Sequence, residues 1–81
     1  MDQEKSLIII DDDTPFRERL TRSMEKKGFI VEAFGVAKQA IERIKDKNYN
    51  YAIIDMRLNT DSGLEIIQLI KNISPDTRSL L

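Results

Sequence analysis

Two apolar runs that each end in aspartate place the strongest limit on how this chain folds. Residues 7–10 are Leu-Ile-Ile-Ile and are followed by three aspartates; residues 51–54 are Tyr-Ala-Ile-Ile and are followed by Asp55. Apolar residues at every position, without alternation, predict strands that are buried on both faces. Such strands are typical of parallel sheets covered by helices, so the two runs indicate an α/β protein.

The segment between the aspartates and residue 28 has helical periodicity. Phe16, Leu20 and Met24 recur every four residues among charged residues, which predicts an amphipathic helix. We interpret Thr14-Pro15 as an N-cap followed by proline in the first turn. Gly28 is a typical end for such a helix.

The remaining elements alternate in the same way. We predict a strand over residues 29–34, a helix capped by Gly35 with its apolar stripe over residues 36–44, a helix with its stripe over residues 64–70, and the start of a fourth strand over residues 77–81. The order β-α-β-α-β-α-β predicts one parallel sheet with right-handed crossovers and helices on both faces. A chain of 81 residues has room for one modest core, so we expect a single domain.

Carboxylates stand where the two buried strands end. In open parallel sheets the functional crevice lies beyond the carboxyl ends of the strands. If the strands that end at Asp11 and Asp55 are neighbours, roughly 4.8 Å apart, their carboxylates lie within a few ångströms. Two such charges about 4 Å apart repel by about 4 kcal/mol at an effective dielectric of about 20, so the site retains a proton or binds a cation. Oxygen ligands favour a hard cation such as Mg²⁺. Asp13 precedes the helix, and we interpret it as a helix N-terminal residue.

Composition excludes several kinds of chemistry. The chain has no Cys and no His, which excludes disulfides, thiol catalysis, imidazole acid–base chemistry and His-ligated metals. Its 13 basic and 14 acidic residues give a formal charge of −1, which provides no basic surface for nucleic acid or membrane. Its 3 glycines form no Gly-x-Gly-x-x-Gly loop, which disfavours a dinucleotide-binding module. No signal peptide or spanning apolar run is present, so we expect a cytoplasmic protein.

Residues 7–13 and 51–58, together with Gly63 eight positions after Asp55, resemble the receiver domain of two-component response regulators. The resemblance extends over essentially the whole chain. It implies a flavodoxin-like parallel α/β fold that is truncated after three βα units and the start of a fourth strand. The Asp-Met-Arg-Leu stretch that begins at Asp55 is also similar to redox-responsive transcriptional regulators that carry a C-terminal helix-turn-helix.

The resemblance implies a role for each acid. Asp55 accepts a phosphoryl group from a sensor histidine kinase or a phosphotransfer protein. Mg²⁺ is the cofactor, with Asp12 as its main carboxylate ligand, Asp55 as a second, Asp11 acting through water and the backbone carbonyl of Arg57 as a further ligand. Bound there, the ion would offset the charge of the incoming phosphoryl group. The chain is then a phospho-acceptor regulator rather than an enzyme, and it controls an output domain, most simply a transcriptional one.

The chain departs from the family pattern in two ways. Asn59 stands where many receivers have proline, and the sequence ends inside the expected fourth strand. The family's switch Ser/Thr and its Lys follow later strands and have no counterpart here. We therefore expect residues 1–81 to be an incomplete receiver domain without its effector domain, a fragment stabilised as a homodimer or a strand-swapped oligomer.

Two other functions remain open. A degenerate receiver would act only as a protein–protein interaction module. A haloacid-dehalogenase-like phosphatase would also use Asp55 as its nucleophile, but it needs a second Asp two residues later, where this chain has Arg57.

Overall fold

Strands and helices alternate along the chain in the predicted order. The computed structural model describes residues 5–55, 68, 71–72 and 76–79. The elements are β1 (Ser6–Asp11), α1 (Thr14–Lys26), β2 (Ile30–Phe34), α2 (Ala37–Asp46), β3 (Tyr51–Asp55) and β4 (Arg78–Ser79). Residues 68, 71 and 72 are helical, in agreement with a helix before β4; the rest of that predicted helix and the loop that follows β3 lie outside the described residues.

The described strands form one parallel sheet in the order β2-β1-β3-β4. β1 is central: its partners run from Ser6–Ile30 to Ile10–Phe34 on the β2 side and from Leu7–Tyr51 to Asp11–Asp55 on the β3 side. β2 and β3 therefore lie on opposite sides of β1. The strand order reverses between β1 and β3, which is where open α/β sheets form a crevice at their carboxyl ends.

The middle of β1, residues 7–10, is apolar throughout because both of its faces are covered. All four side chains of residues 7–10 are fully buried. Alternate residues enter two clusters, one beneath each helix. The cluster beneath α2 contains Ile8, Ile10, Ala40, Ile44, Tyr49 and Ala52. The cluster on the α1 side contains Leu7, Ile9 and Ile53, with Leu20 and Met24 packed against it.

The start of α1 differs by one residue from the prediction. The N-cap is Asp13 and not Thr14, because the Asp13 carboxylate accepts a hydrogen bond from the backbone amide of Phe16 at 3.2 Å. Thr14 and Pro15 lie in the first turn. A carboxylate at this position also interacts favourably with the helix dipole, so the N-terminal role predicted for Asp13 is confirmed. α1 ends at Lys26, and Gly28 follows with a left-handed φ of 97°.

The second βα unit also differs slightly from the prediction. β2 begins at Ile30, one residue late, while Phe29 packs edge-on against the ring of Tyr51 with centroids 5.3 Å apart. The N-cap of α2 is Val36 and not Gly35, and the Val36 side chain makes no capping hydrogen bond.

None of the helices in the described part of the chain has the length and apolar character needed to cross a membrane.

Candidate functional site

Asp11 and Asp55 lie side by side at the carboxyl edge of the sheet. Each is the last residue of its strand, and the two are direct partners in the parallel register of β1 and β3. Neighbouring strands are spaced by roughly 4.8 Å, so the two backbones approach one another at the switch point. Asp12 is half-buried at the first position beyond β1. The structure thus places Asp11 and Asp55, with Asp12 next in sequence to Asp11, at one edge of the sheet.

Asp11 is a buried acid with one satisfied and one unsatisfied oxygen. Its side chain is 1% exposed, and Oδ1 accepts a hydrogen bond from the backbone amide of Asp13 at 2.9 Å. Oδ2 is buried and has no hydrogen-bond partner among the described residues. A buried carboxylate oxygen in this state is unfavourable unless a cation or an ordered water compensates it. The donor set at this edge therefore fits a hard cation, reached directly or through a bound water.

Within the ranges that the structure covers, no three His, Cys, Asp or Glu side chains are grouped so that they could hold a metal ion. Mg²⁺ in proteins usually keeps several waters and takes one or two carboxylates, so it does not need such a group. The backbone carbonyl of Arg57, predicted as a further ligand, lies outside the described residues, as do Asn59 and Gly63.

The side chain of Arg17, on α1, reaches the same edge of the sheet. The sequence pattern does not identify this residue. Its Nη1 donates a hydrogen bond to the backbone carbonyl of Asp11 at 2.7 Å, and its Nη2 donates to the Thr14 hydroxyl at 3.3 Å. The guanidinium lies over Gly35, directly after β2, where a methyl group would meet the guanidinium carbon at 3.0 Å. Helical periodicity places Arg17 in the first turns of α1, but it carries no information about the strand end that the side chain reaches.

Two of the curated proteins similar to this chain are bacterial regulatory proteins by name. It is 42% identical over 78 residues to the acid tolerance regulatory protein ActR of Rhizobium meliloti, covering 96% of this chain and 40% of that protein. It is 33% identical over 75 residues to the photosynthetic apparatus regulatory protein RegA of Cereibacter sphaeroides, covering 93% of this chain and 41% of that protein. The chain thus spans about 40% of the length of these relatives.

Two solved structures with a similar fold are also response regulators. A response regulator protein from Burkholderia pseudomallei, with a phosphorylated aspartic acid, calcium ion and citrate, matches 94% of this chain and 45% of its own, at a TM-score of 0.84 and 28% identity. The response regulator protein TrrA of Thermotoga maritima, solved in complex with Mg²⁺-BeF, has the same fold at a TM-score of 0.80 and 24% identity, over 93% of this chain and 65% of its own. A family model described as the response regulator receiver domain matches residues 7–81. With that match over nearly its whole length, the chain belongs to the response regulator receiver domain family.

Proposed function

We propose that this chain is a phosphoryl-accepting signalling module of a two-component system, and that Asp55 is the acceptor. The observation that carries the proposal is the Asp11–Asp55 register at the switch point, beside Oδ2 of Asp11, which has no hydrogen-bond partner in the described part of the chain. The similar Burkholderia protein, which has a phosphorylated aspartic acid and a calcium ion, supports an aspartate acceptor in this fold.

Each acid has its own role in the proposed reaction. A carboxylate oxygen of Asp55 attacks the phosphorus in line, a new O–P bond forms, and the bond from the donor to phosphorus breaks, so the donor leaves with its electron pair. Asp12 and Asp55 would hold Mg²⁺ through carboxylate oxygens, Asp11 through a water, and Arg57 through its backbone carbonyl. When bound, the ion would supply charge neutralisation and orientation for the phosphoryl group. The product is a mixed anhydride on Asp55, which hydrolyses back to the carboxylate.

The proposed partner is a sensor histidine kinase or a phosphotransfer protein in the cytoplasm. We propose that residues 1–81 are part of a receiver domain whose phosphorylation controls a separate output domain, and that the module itself catalyses only its own phosphorylation and dephosphorylation. The names of ActR and RegA as regulatory proteins support a transcriptional output. The formal charge of −1 supports an output that does not depend on nucleic-acid binding by this segment.

Direct phosphorylation tests the proposal. The chain, shown to be folded by circular dichroism, is incubated with acetyl phosphate or phosphoramidate and Mg²⁺, and its intact mass is measured. We expect one phosphoryl adduct that is lost in Asp55→Asn and when the metal is chelated. Asp46→Asn, which changes an exposed carboxylate at the end of α2, is the matched control and should keep the adduct. A folded wild-type chain that gains no adduct would contradict the proposal and favour a receiver that acts only in protein–protein interaction.

A further inference from the structure

We propose that Arg17 is a positioning residue for the acidic site: from α1, its guanidinium holds the backbone at the end of β1 in the orientation that cation binding requires. The inference rests on the proposed function only in taking Asp11, Asp12 and Asp55 as the cation site. It assigns a role to a residue that touches none of the reacting atoms, and it also accounts for the glycine at position 35.

A closed series of hydrogen bonds runs through the turn between β1 and α1. The Asp11 carboxylate accepts from the amide of Asp13, and the Asp13 carboxylate accepts from the amide of Phe16. Arg17, one residue further on, returns to the carbonyl of Asp11 at 2.7 Å. Asp12 lies inside this closed series, so its backbone is held from both sides. The Arg17 bond has a guanidinium donor, and at 2.7 Å it is the shortest of the three bonds in the series.

Gly35 supplies the room for this tie. Its φ is not positive, so its backbone conformation is open to other residues. Space is the reason for glycine: a methyl group would overlap Nη1 of Arg17 and approach Cζ at 3.0 Å and Nη2 at 3.3 Å. The clash is with the end of a flexible side chain rather than with backbone. Gly35→Ala should therefore displace the guanidinium and leave the rest of the fold in place.

The charge of Arg17 and its hydrogen bond to Asp11 should affect Mg²⁺ affinity in opposite directions. A guanidinium near a cation site repels the cation, so removal of its charge alone would strengthen Mg²⁺ binding. Loss of the tie to Asp11 would weaken binding, because the carboxylates would no longer be preorganised. The sign of the change in affinity therefore separates a positioning role from a purely electrostatic one.

The test is a Mg²⁺ titration of the whole 81-residue chain, followed by NMR at the backbone amide of Asp13, which donates to the Asp11 carboxylate. We expect Arg17→Ala to weaken binding by about tenfold, the scale of a lost hydrogen bond to a charged group. Arg17→Lys keeps the charge but lacks the planar guanidinium, so its affinity for Mg²⁺ should lie between those of wild type and Arg17→Ala. Gly35→Ala should weaken binding in the same direction as Arg17→Ala although the charge is retained. In metal-free protein, Arg17→Ala and Gly35→Ala should both shift the Asp13 amide signal.

Arg19→Ala is the matched control, because it removes the same charge from an exposed position on the same helix. We expect it to bind Mg²⁺ within about twofold of wild type, or slightly more tightly. If wild type binds Mg²⁺ and takes up a phosphoryl group while Arg17→Ala and Gly35→Ala bind as tightly or more tightly, the positioning role is overturned and the proposed function stands. If wild type neither binds Mg²⁺ nor takes up a phosphoryl group, the positioning role and the proposed function are both overturned. Should Arg17→Ala prove unfolded in a thermal melt, Gly35→Ala, which retains Arg17, decides the outcome.

Discussion

At the scale of single residues, three consecutive aspartates have three different environments. Asp11 is buried, and its Oδ2 has no partner among the residues that the structure describes. Asp12 is half-buried beyond the strand, and Asp13 is exposed and caps α1. Identical side chains are distinguished here by where β1 ends and where α1 begins. Their substitution should therefore have different consequences for stability and for metal binding.

We predict that Asp12→Ala and Asp13→Ala have opposite effects. Asp12→Ala should weaken Mg²⁺ binding by at least about tenfold while the free energy of unfolding without metal stays equal or rises slightly, because carboxylate repulsion is relieved. Asp13→Ala should lower the free energy of unfolding by about 1 kcal/mol, the usual effect of losing an N-cap. Urea denaturation without metal and Mg²⁺ titration measure the two quantities. Strong destabilisation by Asp12→Ala would show that its role is structural.

At the scale of secondary-structure elements, Glu32 ties the edge strand β2 to the end of α2. Its carboxylate accepts hydrogen bonds from Nε of Arg43 at 3.0 Å, from Nζ of Lys47 at 3.2 Å and from the hydroxyl of Tyr49. Burial by itself raises the pKa of Glu32, but these three donors outweigh it and lower the pKa to about 2. Burial, followed by the hydrogen bond to Glu32, raises the pKa of Tyr49 above its ordinary value. A charge on an inner face of the sheet is thus retained because it is fully partnered.

This pKa predicts how stability depends on pH. Because the folded-state pKa of Glu32 is depressed from 4.5 to about 2, its stabilising contribution is complete above pH 4.5 and is lost as the pH falls toward 2. We expect Glu32→Gln to lower the free energy of unfolding at neutral pH by about 1–2 kcal/mol, after allowance for solvent screening. The difference from wild type should narrow steadily below pH 4.5. Denaturant titrations over this range measure it; a difference independent of pH would contradict the assignment.

At the scale of the whole molecule, the sheet has an accessible edge. β2 lies at the end of the described strand order, and Ile30 at its start is 57% exposed. An edge strand with an exposed apolar residue is a site where another copy of the chain can pair. The described core is confined to the two clusters on either side of β1, so the stability available to a single copy is modest.

We predict that the 81-residue chain self-associates through this edge. Light scattering should show an average mass that rises above 9.4 kDa with concentration in the micromolar range. Ile30→Lys should reduce the association, because a charged side chain on an edge strand opposes pairing. Val36→Lys, 53% exposed but outside β2, is the control and should leave the association unchanged. A constant monomeric mass for wild type would rule the prediction out.

Local pattern was sufficient to predict the described elements and the position of the acids at the strand ends. The runs before Asp11 and Asp55 are buried strands, and the four-residue period of Phe16 and Leu20 is a helix, because burial on two faces and burial on one face leave different periodicities in sequence. The predicted N-caps of α1 and α2 are each wrong by one residue. Asp13 and Thr14 are both good capping residues, and only the backbone geometry decides which one accepts from Phe16.

The class of fold and the residues that end the central strands could be predicted from the sequence, since both are consequences of side-chain polarity along a short segment. Three contacts could not be predicted in this way: β1 lies next to β3 with Asp11 opposite Asp55, Arg17 reaches the end of β1 through the space left by Gly35, and Glu32 is fully partnered. Each of these contacts joins segments that are separated in sequence. Local periodicity does not encode such pairings, because they are selected by how the whole chain packs.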